Sequence, residues 1–311
     1  MNITLIGPGT LPIPPEGWGG VESLIWDFNN ELKARGHEVT IINNPNTSEI
    51  IDTVNSLDSD FVHLHYDVFA HIMPYIKCKN KAVTSHYPYL EHDDKNLQYR
   101  WIFQDINTSD SHVICLSEGI KKAFIRHGHE EKNISVVPCG INAELFQTRE
   151  VKYPDRSIYL AKIEDRKKQF ALQNPIFNID FAGPIADNRF HHQNKNYLGS
   201  LTKEQIYETL TDWANLILLS DGECHARVCI EAMSAGLGVV ISEQAAANLD
   251  TSKPFISVIP NDKLSDGEYL KNVLEENRKQ SIANRAQIRE YCISEFGWDN
   301  IISKYTSVIN R

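Results

Sequence analysis

The stretch Leu216–Glu243, LILLSDGECHARVCIEAMSAGLGVVISE, decides how the rest of the chain is read. Leu216–Ser220 is a short apolar run stopped by Asp221-Gly222, as a buried parallel strand stops in a loop. From Ala226 to Ala235 the apolar Val228, Ile230, Ala232 and Met233 sit among helix formers. Gly236 is placed to end that helix, and Val239–Ile241 opens another buried strand. The pattern predicts a strand–loop–helix–strand unit with two carboxylates, Glu223 in the loop and Glu231 on the helix. A loop feeding a helix N-terminus offers free N–H groups and a positive dipole end, which suits a phosphate. An acid on the helix can then hold a ribose, and an acid in the loop faces what lies beyond the phosphates. The same pattern also fits an ordinary α/β unit with two solvated glutamates, which doubly wound folds commonly contain.

Glu223 and Glu231 are followed by Ala232-Met233-x-x-Gly236-x-x-Val239-Val240. This arrangement resembles the E-x7-E signature of the family 4 retaining glycosyltransferases, which have the GT-B fold. The resemblance implies α/β architecture, with two Rossmann-like domains facing each other across a cleft.

Composition sets bounds of its own. The chain has 311 residues, enough for two ordinary domains, and its apolar and charged fractions are those of a globular protein. No apolar run approaches the ~20 residues a membrane helix needs, and Met1–Ile6 reads directly as a strand rather than a signal peptide. The cysteines at 78, 115, 139, 224, 229 and 292 form no C-x-x-C pair, the usage expected of reduced thiols in a cytoplasmic protein. Residues 1–150 carry a net charge of −8 and residues 151–311 a net −2. An acidic first half argues against nucleic acid and against docking on anionic lipid.

The first 45 residues predict a strand at Asn2–Ile6, a glycine-containing loop, a helix from Val21 to Arg35 and a strand at Val39–Ile42. Gly7-Pro8-Gly9 is followed by Thr10-Leu11-Pro12, so the G-x-G-x-x-G dinucleotide fingerprint fails. Gly19-Gly20 at the helix start still lets backbone approach a phosphate or sugar, or forms only a flexible loop. Pro14-Pro15, Gly19-Gly20-Val21-Glu22 and Ala34-Arg35-Gly36-His37-Glu38-Val39 resemble the corresponding family 4 segments. That likeness implies a loop near the donor phosphates and the acceptor.

Phe61-Val62-His63-Leu64-His65 alternates, so His63 and His65 point the same way. A His-x-His strand can bind zinc, but supporting ligands are not evident in the sequence. The next strand, Lys81–Thr84, runs into Ser85-His86-Tyr87, which puts His86 at the sheet edge where α/β folds bind ligands or makes it a satisfied core histidine. By resemblance, His86 contacts the donor sugar or phosphate. A further strand is expected over Ser109–Leu116, with Ser117 capping the following helix. Val136-Val137-Pro138-Cys139-Gly140-Ile141-Asn142 resembles the family segment before the interdomain linker. The domains are therefore expected at 1–150 and 151–294, with 295–311 a helix that crosses back to the first domain. The matching tail residues are Trp298 and Tyr305.

The second half opens with the strand Ser157–Ile163 and then Glu164-Asp165-Arg166-Lys167-Lys168-Gln169. Fixed cations after a buried strand suit a leaving diphosphate, although a Lys/Arg run is also an ordinary solvated face. The family pattern there is G-R-x-x-x-x-K. This chain has Ala161 and Lys162 in place of Gly-Arg, which keeps the charge and loses the bidentate fork, while Lys167 falls at the lysine position. Thr202 is read as a helix cap. A second departure is Glu223-Cys224-His225-Ala226 where relatives often read E-G-F-G.

The function implied is retaining transfer of a sugar from a nucleoside diphosphate sugar, UDP-sugar favoured, to a hydroxyl acceptor, with no cofactor and no metal. Glu223, His86, Lys162 and Lys167 are the expected catalytic groups. Glu231, Gly19, Gly20, Cys224, His225, Ala226 and Arg166 are the expected donor-binding groups. Neither a nucleic-acid partner nor stable membrane insertion is expected. A sugar-nucleotide-binding protein without transfer activity, or an epimerase or phosphorylase on the same fold, stays open beside this reading.

Overall fold

The computed structural model describes residues 1–310, so the expected helix end at Arg311 lies outside the described residues. The chain divides into two compact units. One is Met1–Gly140 together with the residues from Trp298 on, and the other is Ile141–Gly297.

The N-terminal unit runs β1 (Asn2–Ile6), α1 (Gly20–Ala34), β2 (Glu38–Ile42), α2 (Thr47–Ser56), β3 (Phe61–Leu64), β4 (Lys81–Val83), α3 (Arg100–Thr108), β5 (His112–Cys115), α4 (Glu118–Arg126) and β6 (Ile134–Val136). Its strands form a parallel sheet of order β2-β1-β3-β4-β5-β6. The apolar residues Leu24, Ile25, Phe28 and Leu32 recur at helical spacing on α1 and are buried, as the sequence predicts. Ser117 caps α4 by accepting from the Ile120 N–H at 3.2 Å. The helix α2 was not expected from the sequence; Asn46 caps it, accepting from the Ser48 and Glu49 N–H groups.

The C-terminal unit runs β7 (Tyr153–Leu160), β8 (Ile179–Ala182), α5 (Lys203–Thr209), β9 (Trp213–Leu218), α6 (Arg227–Ser234), β10 (Gly238–Ser242), β11 (Ile256–Ile259), α7 (Gly267–Ala283) and α8 (Arg285–Phe296). Its parallel sheet has the order β11-β10-β9-β7-β8. The deciding stretch folds as read: β9, a loop, α6, then β10, with Gly236 at φ +83° just past the helix. Thr202 caps α5 in a reciprocal capping box with Gln205.

Two boundaries differ from expectation. Residues 141–150 belong to the C-terminal unit, because that unit's own groups hold their backbone. Arg289 donates to the carbonyls of Ala143 at 2.8 Å and Phe146 at 3.2 Å. The Gln147 N–H donates to the Tyr207 carbonyl at 2.9 Å. At the other end α8 continues to Phe296, so the tail helix α9 (Trp298–Ile309) begins at 298 and not 295.

Helix α9 packs on the N-terminal unit, burying Trp298, Ile301, Ile302, Tyr305, Val308 and Ile309. Trp298 meets Phe28 of α1 edge-on at 5.1 Å, and Tyr305 lies 4.8 Å from the same ring. A Cβ at Gly140 would come within 2.6 Å of the Trp298 ring, so only glycine fits there. The Tyr305 hydroxyl is 3.0 Å from His63 Nδ1, and His63 Nε2 is 2.8 Å from Thr84 Oγ1. Thr84 gives its one hydroxyl proton to the Ile114 carbonyl at 2.9 Å, so it accepts from His63 Nε2–H, and Nδ1 accepts from Tyr305. One ordered line of hydrogen bonds thus joins α9, β3, β4 and β5.

Candidate functional site

A parallel sheet opens a crevice where neighbouring strands send their connections in opposite directions. In the C-terminal unit that point lies between β7, whose chain leaves toward β8, and β9, whose chain leaves toward β10. The turns after these strands, 161–169 and 219–226, are therefore the two segments that meet above the sheet edge.

They meet through charge. Arg166 Nη1 donates to Glu223 Oε1 at 3.1 Å, to the Gly222 carbonyl at 2.8 Å and to Ser220 Oγ at 3.1 Å. Arg166 Nε pairs with Glu164 at 2.7 Å, and Lys167 Nζ stands 3.9 Å from Glu223. Lys168 pairs with Asp221, and the Asp221 N–H donates to the Arg166 carbonyl at 2.8 Å. Burial holds Lys167 below the usual lysine range; the Glu223 carboxylate pulls it back up and Arg166 pushes it further down.

Beneath the charges, Tyr159 on β7 ties both turns to the sheet. Its hydroxyl donates to the Lys167 carbonyl at 2.6 Å and accepts from the Leu219 N–H at 2.9 Å. Burial pushes that phenol well above its ordinary range. Ser242 Oγ donates to the Ser220 carbonyl at 2.6 Å, and Gln169 Nε2 donates to the Lys162 carbonyl at 2.9 Å. Sequence reading missed Tyr159, Ser220, Glu164 and Gln169. Glu164 and Gln169 flank the basic run, which was the one available signal; Tyr159 reads as ordinary strand core.

Helix α6 begins at Arg227 directly after this loop, so its N-terminus adjoins the cluster. Glu231 follows one turn later and is partly exposed. Burial raises the Cys229 thiol, and the Glu223 and Glu231 carboxylates add to the effect. Arg166, Lys167 and Glu223 are thus brought together, and Glu231 lies one turn into α6.

Other expected residues sit differently. The Lys162 side chain is 54% exposed, and its nearest acid is Glu164 at 3.9 Å, so it stands apart from Glu223. Cys224, His225 and Ala226 are buried. The His225 ring lies 5.3 Å from Phe296, and burial, with Arg227 nearby, lowers its pKa to about 3. It is a neutral packed imidazole.

The N-terminal unit has a crevice of its own, between β1 and β3. Gly19 is the N-cap of α1, and a Cβ there would meet Glu22 Oε2 at 2.9 Å and Pro15 at 3.2 Å, whereas Gly20 faces open space. Glu22 is buried and accepts from Thr10 Oγ1 at 3.3 Å. His63 and His65 share a face as expected, with ring centroids 3.8 Å apart, and His86 stacks on His65 at 5.8 Å. The backbone before His86 is fixed by Thr84, as above, and by Ser85, whose hydroxyl donates to the buried Asp67. Both His63 nitrogens are engaged by protein groups, and among the described residues no cluster of His, Cys, Asp and Glu fits a metal ion.

Residues 42–145, about a third of the chain, match the model of Glycosyltransferase Family 4. No curated protein matches the chain. Among solved structures, HepE from Anabaena in complex with UDP and glucose is 13% identical with a TM-score of 0.76, covering 100% of this chain and 99% of that one. Sucrose-phosphate synthase from Thermosynechococcus elongatus is 15% identical with a TM-score of 0.76, over 99% and 98% of the two chains. AviGT4, a glycosyltransferase involved in avilamycin A biosynthesis, is 15% identical with a TM-score of 0.72, over 100% and 97%. The family resemblance read from the motifs is borne out by the matched segment, and the whole chain has the GT-B fold.

Proposed function

We propose that this protein is a retaining glycosyltransferase that moves a sugar from a nucleoside diphosphate sugar, a UDP-sugar by preference, to a hydroxyl acceptor without metal or cofactor. The observation that carries the proposal is the Arg166–Lys167–Glu223 cluster at the β7/β9 crossover, set against the N-terminus of α6. The helix N–H groups and Lys167 offset the charge that builds on the departing diphosphate, and Lys162 adds a screened charge from the rim. Glu231 takes the ribose hydroxyls in charge-assisted bonds. Glu223 binds sugar hydroxyls and stabilises positive charge developing at C1, while His86 acts on the sugar or phosphate. The C1–O bond to the diphosphate breaks, the acceptor oxygen bonds to C1 on the same face, and the acceptor's proton passes to the departing phosphate oxygen. Complexes of HepE with UDP and with UDP-glucose support the choice of nucleotide.

A second reading is a sugar-nucleotide-binding protein without transfer activity. What favours it is Lys162, solvated where the family pattern has a guanidinium. A thermal-shift screen of UDP-, GDP- and ADP-sugars identifies the donor, because a ligand that binds only the folded chain raises its melting temperature. Donor turnover is then followed with and without hydroxyl acceptors. Transfer to an acceptor, with the anomeric configuration kept, supports the proposal. Binding without turnover favours the second reading, and conversion of donor alone indicates an epimerase.

A further inference from the structure

We propose that Arg166 is the positioning residue of this site: it fixes the Glu223 carboxylate and the loop that carries it. The inference rests on the donor-site reading above.

Arg166 holds the loop Ser220–Glu223 at several points. Its Nη1 reaches Ser220 Oγ, the Gly222 carbonyl and Glu223 Oε1 at 3.1, 2.8 and 3.1 Å, while its own carbonyl accepts from the Asp221 N–H at 2.8 Å. Ser220 Oγ also donates to the Gly222 carbonyl at 3.0 Å, so the loop is wrapped around the guanidinium. Nε is spent on Glu164 at 2.7 Å. One planar fork therefore answers two carboxylates and a backbone carbonyl at once. A lysine, a point charge on a flexible stem, cannot hold all three in fixed directions.

Exposed ion pairs usually contribute little, but this one is screened by protein: the Arg166 side chain is 26% exposed and the Glu223 side chain 15%. Without Arg166 the nearest remaining cation to Glu223 is Lys167, at 3.9 Å, which would draw the carboxylate away from its present direction. Lys162 cannot substitute, since it points to solvent beside Glu164. Arg166 thus acts through Glu223, the group that faces the sugar, while the nucleotide rests on α6 and Glu231.

The test is calorimetric titration of the full chain with UDP and with UDP-glucose, together with transfer kinetics, for wild type, Arg166→Lys, Arg166→Ala and Arg166→Gln. Arg166→Gln keeps side-chain bulk if the alanine variant folds poorly, and melting temperatures serve as the control. The expected result for Arg166→Ala and Arg166→Gln is a UDP Kd within about threefold of wild type, loss of any affinity that glucose adds to UDP, and a kcat lowered about 100-fold with donor KM moved less than tenfold. Arg166→Lys should recover part of kcat. An equal loss of UDP and UDP-glucose affinity makes Arg166 a diphosphate ligand and overturns the positioning role, as does unchanged kcat in both variants. A wild-type chain that binds neither probe overturns the donor-site reading itself.

Discussion

Acid should unfold this chain through three imidazoles that burial keeps neutral. Burial lowers His63 and His225 to about 3 and His65 well below its ordinary value, with the neighbouring histidines adding to the effect in the N-terminal pair and Arg227 at His225. In the unfolded chain each titrates near 6.5. Between the folded and unfolded values the unfolded chain binds more protons. The stability these groups contribute is therefore complete above about pH 6.5 and lost as pH falls toward the folded values. From pH 7 to pH 5 each histidine costs about 2 kcal/mol, because the unfolded form gains roughly 1.5 pKa units of proton affinity at 1.36 kcal/mol per unit. The N-terminal unit, with His63 and His65, loses about 4 kcal/mol and the C-terminal unit about 2, against a typical total of about 5–15. Asp67, raised by burial, works in the opposite direction and softens the N-terminal loss. Urea unfolding at pH 7 and pH 5 measures this directly, and His65→Leu isolates one group. Among the described residues neither His65 ring nitrogen has a hydrogen-bond partner, so the substitution removes no bond between them. It should leave stability at pH 7 equal or higher and shrink the pH 7-to-5 loss by about 2 kcal/mol. A variant that loses as much as wild type would refute the reasoning.

Tyr305→Phe removes the donor to His63 Nδ1 and should cost about 1–3 kcal/mol in urea unfolding, while truncation after Ser294, which strips the buried face of α9, should give an insoluble or inactive chain. EDTA should leave transfer activity intact; complete loss restored by Mg²⁺ or Mn²⁺ would reverse the metal-free proposal. Phosphatidylglycerol vesicles at low salt should not co-sediment the chain. Lys81 is buried and donates to the Met73 carbonyl at 2.9 Å, which keeps its charge out of any surface patch with the nearby Lys77 and Lys79.

The sequence made legible whatever depends on local pattern. Apolar spacing located α1, β9, α6 and β10, and Thr202, Ser117 and Gly236 marked helix ends because their chemistry acts within a few residues. The tail was legible because Ile301, Ile302, Tyr305, Val308 and Ile309 repeat at helical spacing, and all five are buried. What escaped was long-range. Arg285 and Arg289 spend their guanidiniums on carbonyls at 143, 146, 149 and 211, which moves the unit boundary from 150 to 140 with no local signal. Tyr159 gives no hint of its two turns, because its partners lie 8 and 60 residues away. Nor does the sequence show that the His225 ring packs against Phe296, a residue 71 positions on. Arg166 rather than Lys162 pairs with Glu223, because position 166, and not the strand end, lies across from that loop.

The central claim is that the β7/β9 crossover of the C-terminal unit seats a nucleoside diphosphate. A crystal structure of the full chain with UDP tests it most directly. The account predicts the diphosphate at the N-terminus of α6 within hydrogen-bond reach of Lys167, and the ribose hydroxyls on Glu231. Ribose away from Glu231 or phosphates remote from Lys167 and α6 would contradict it.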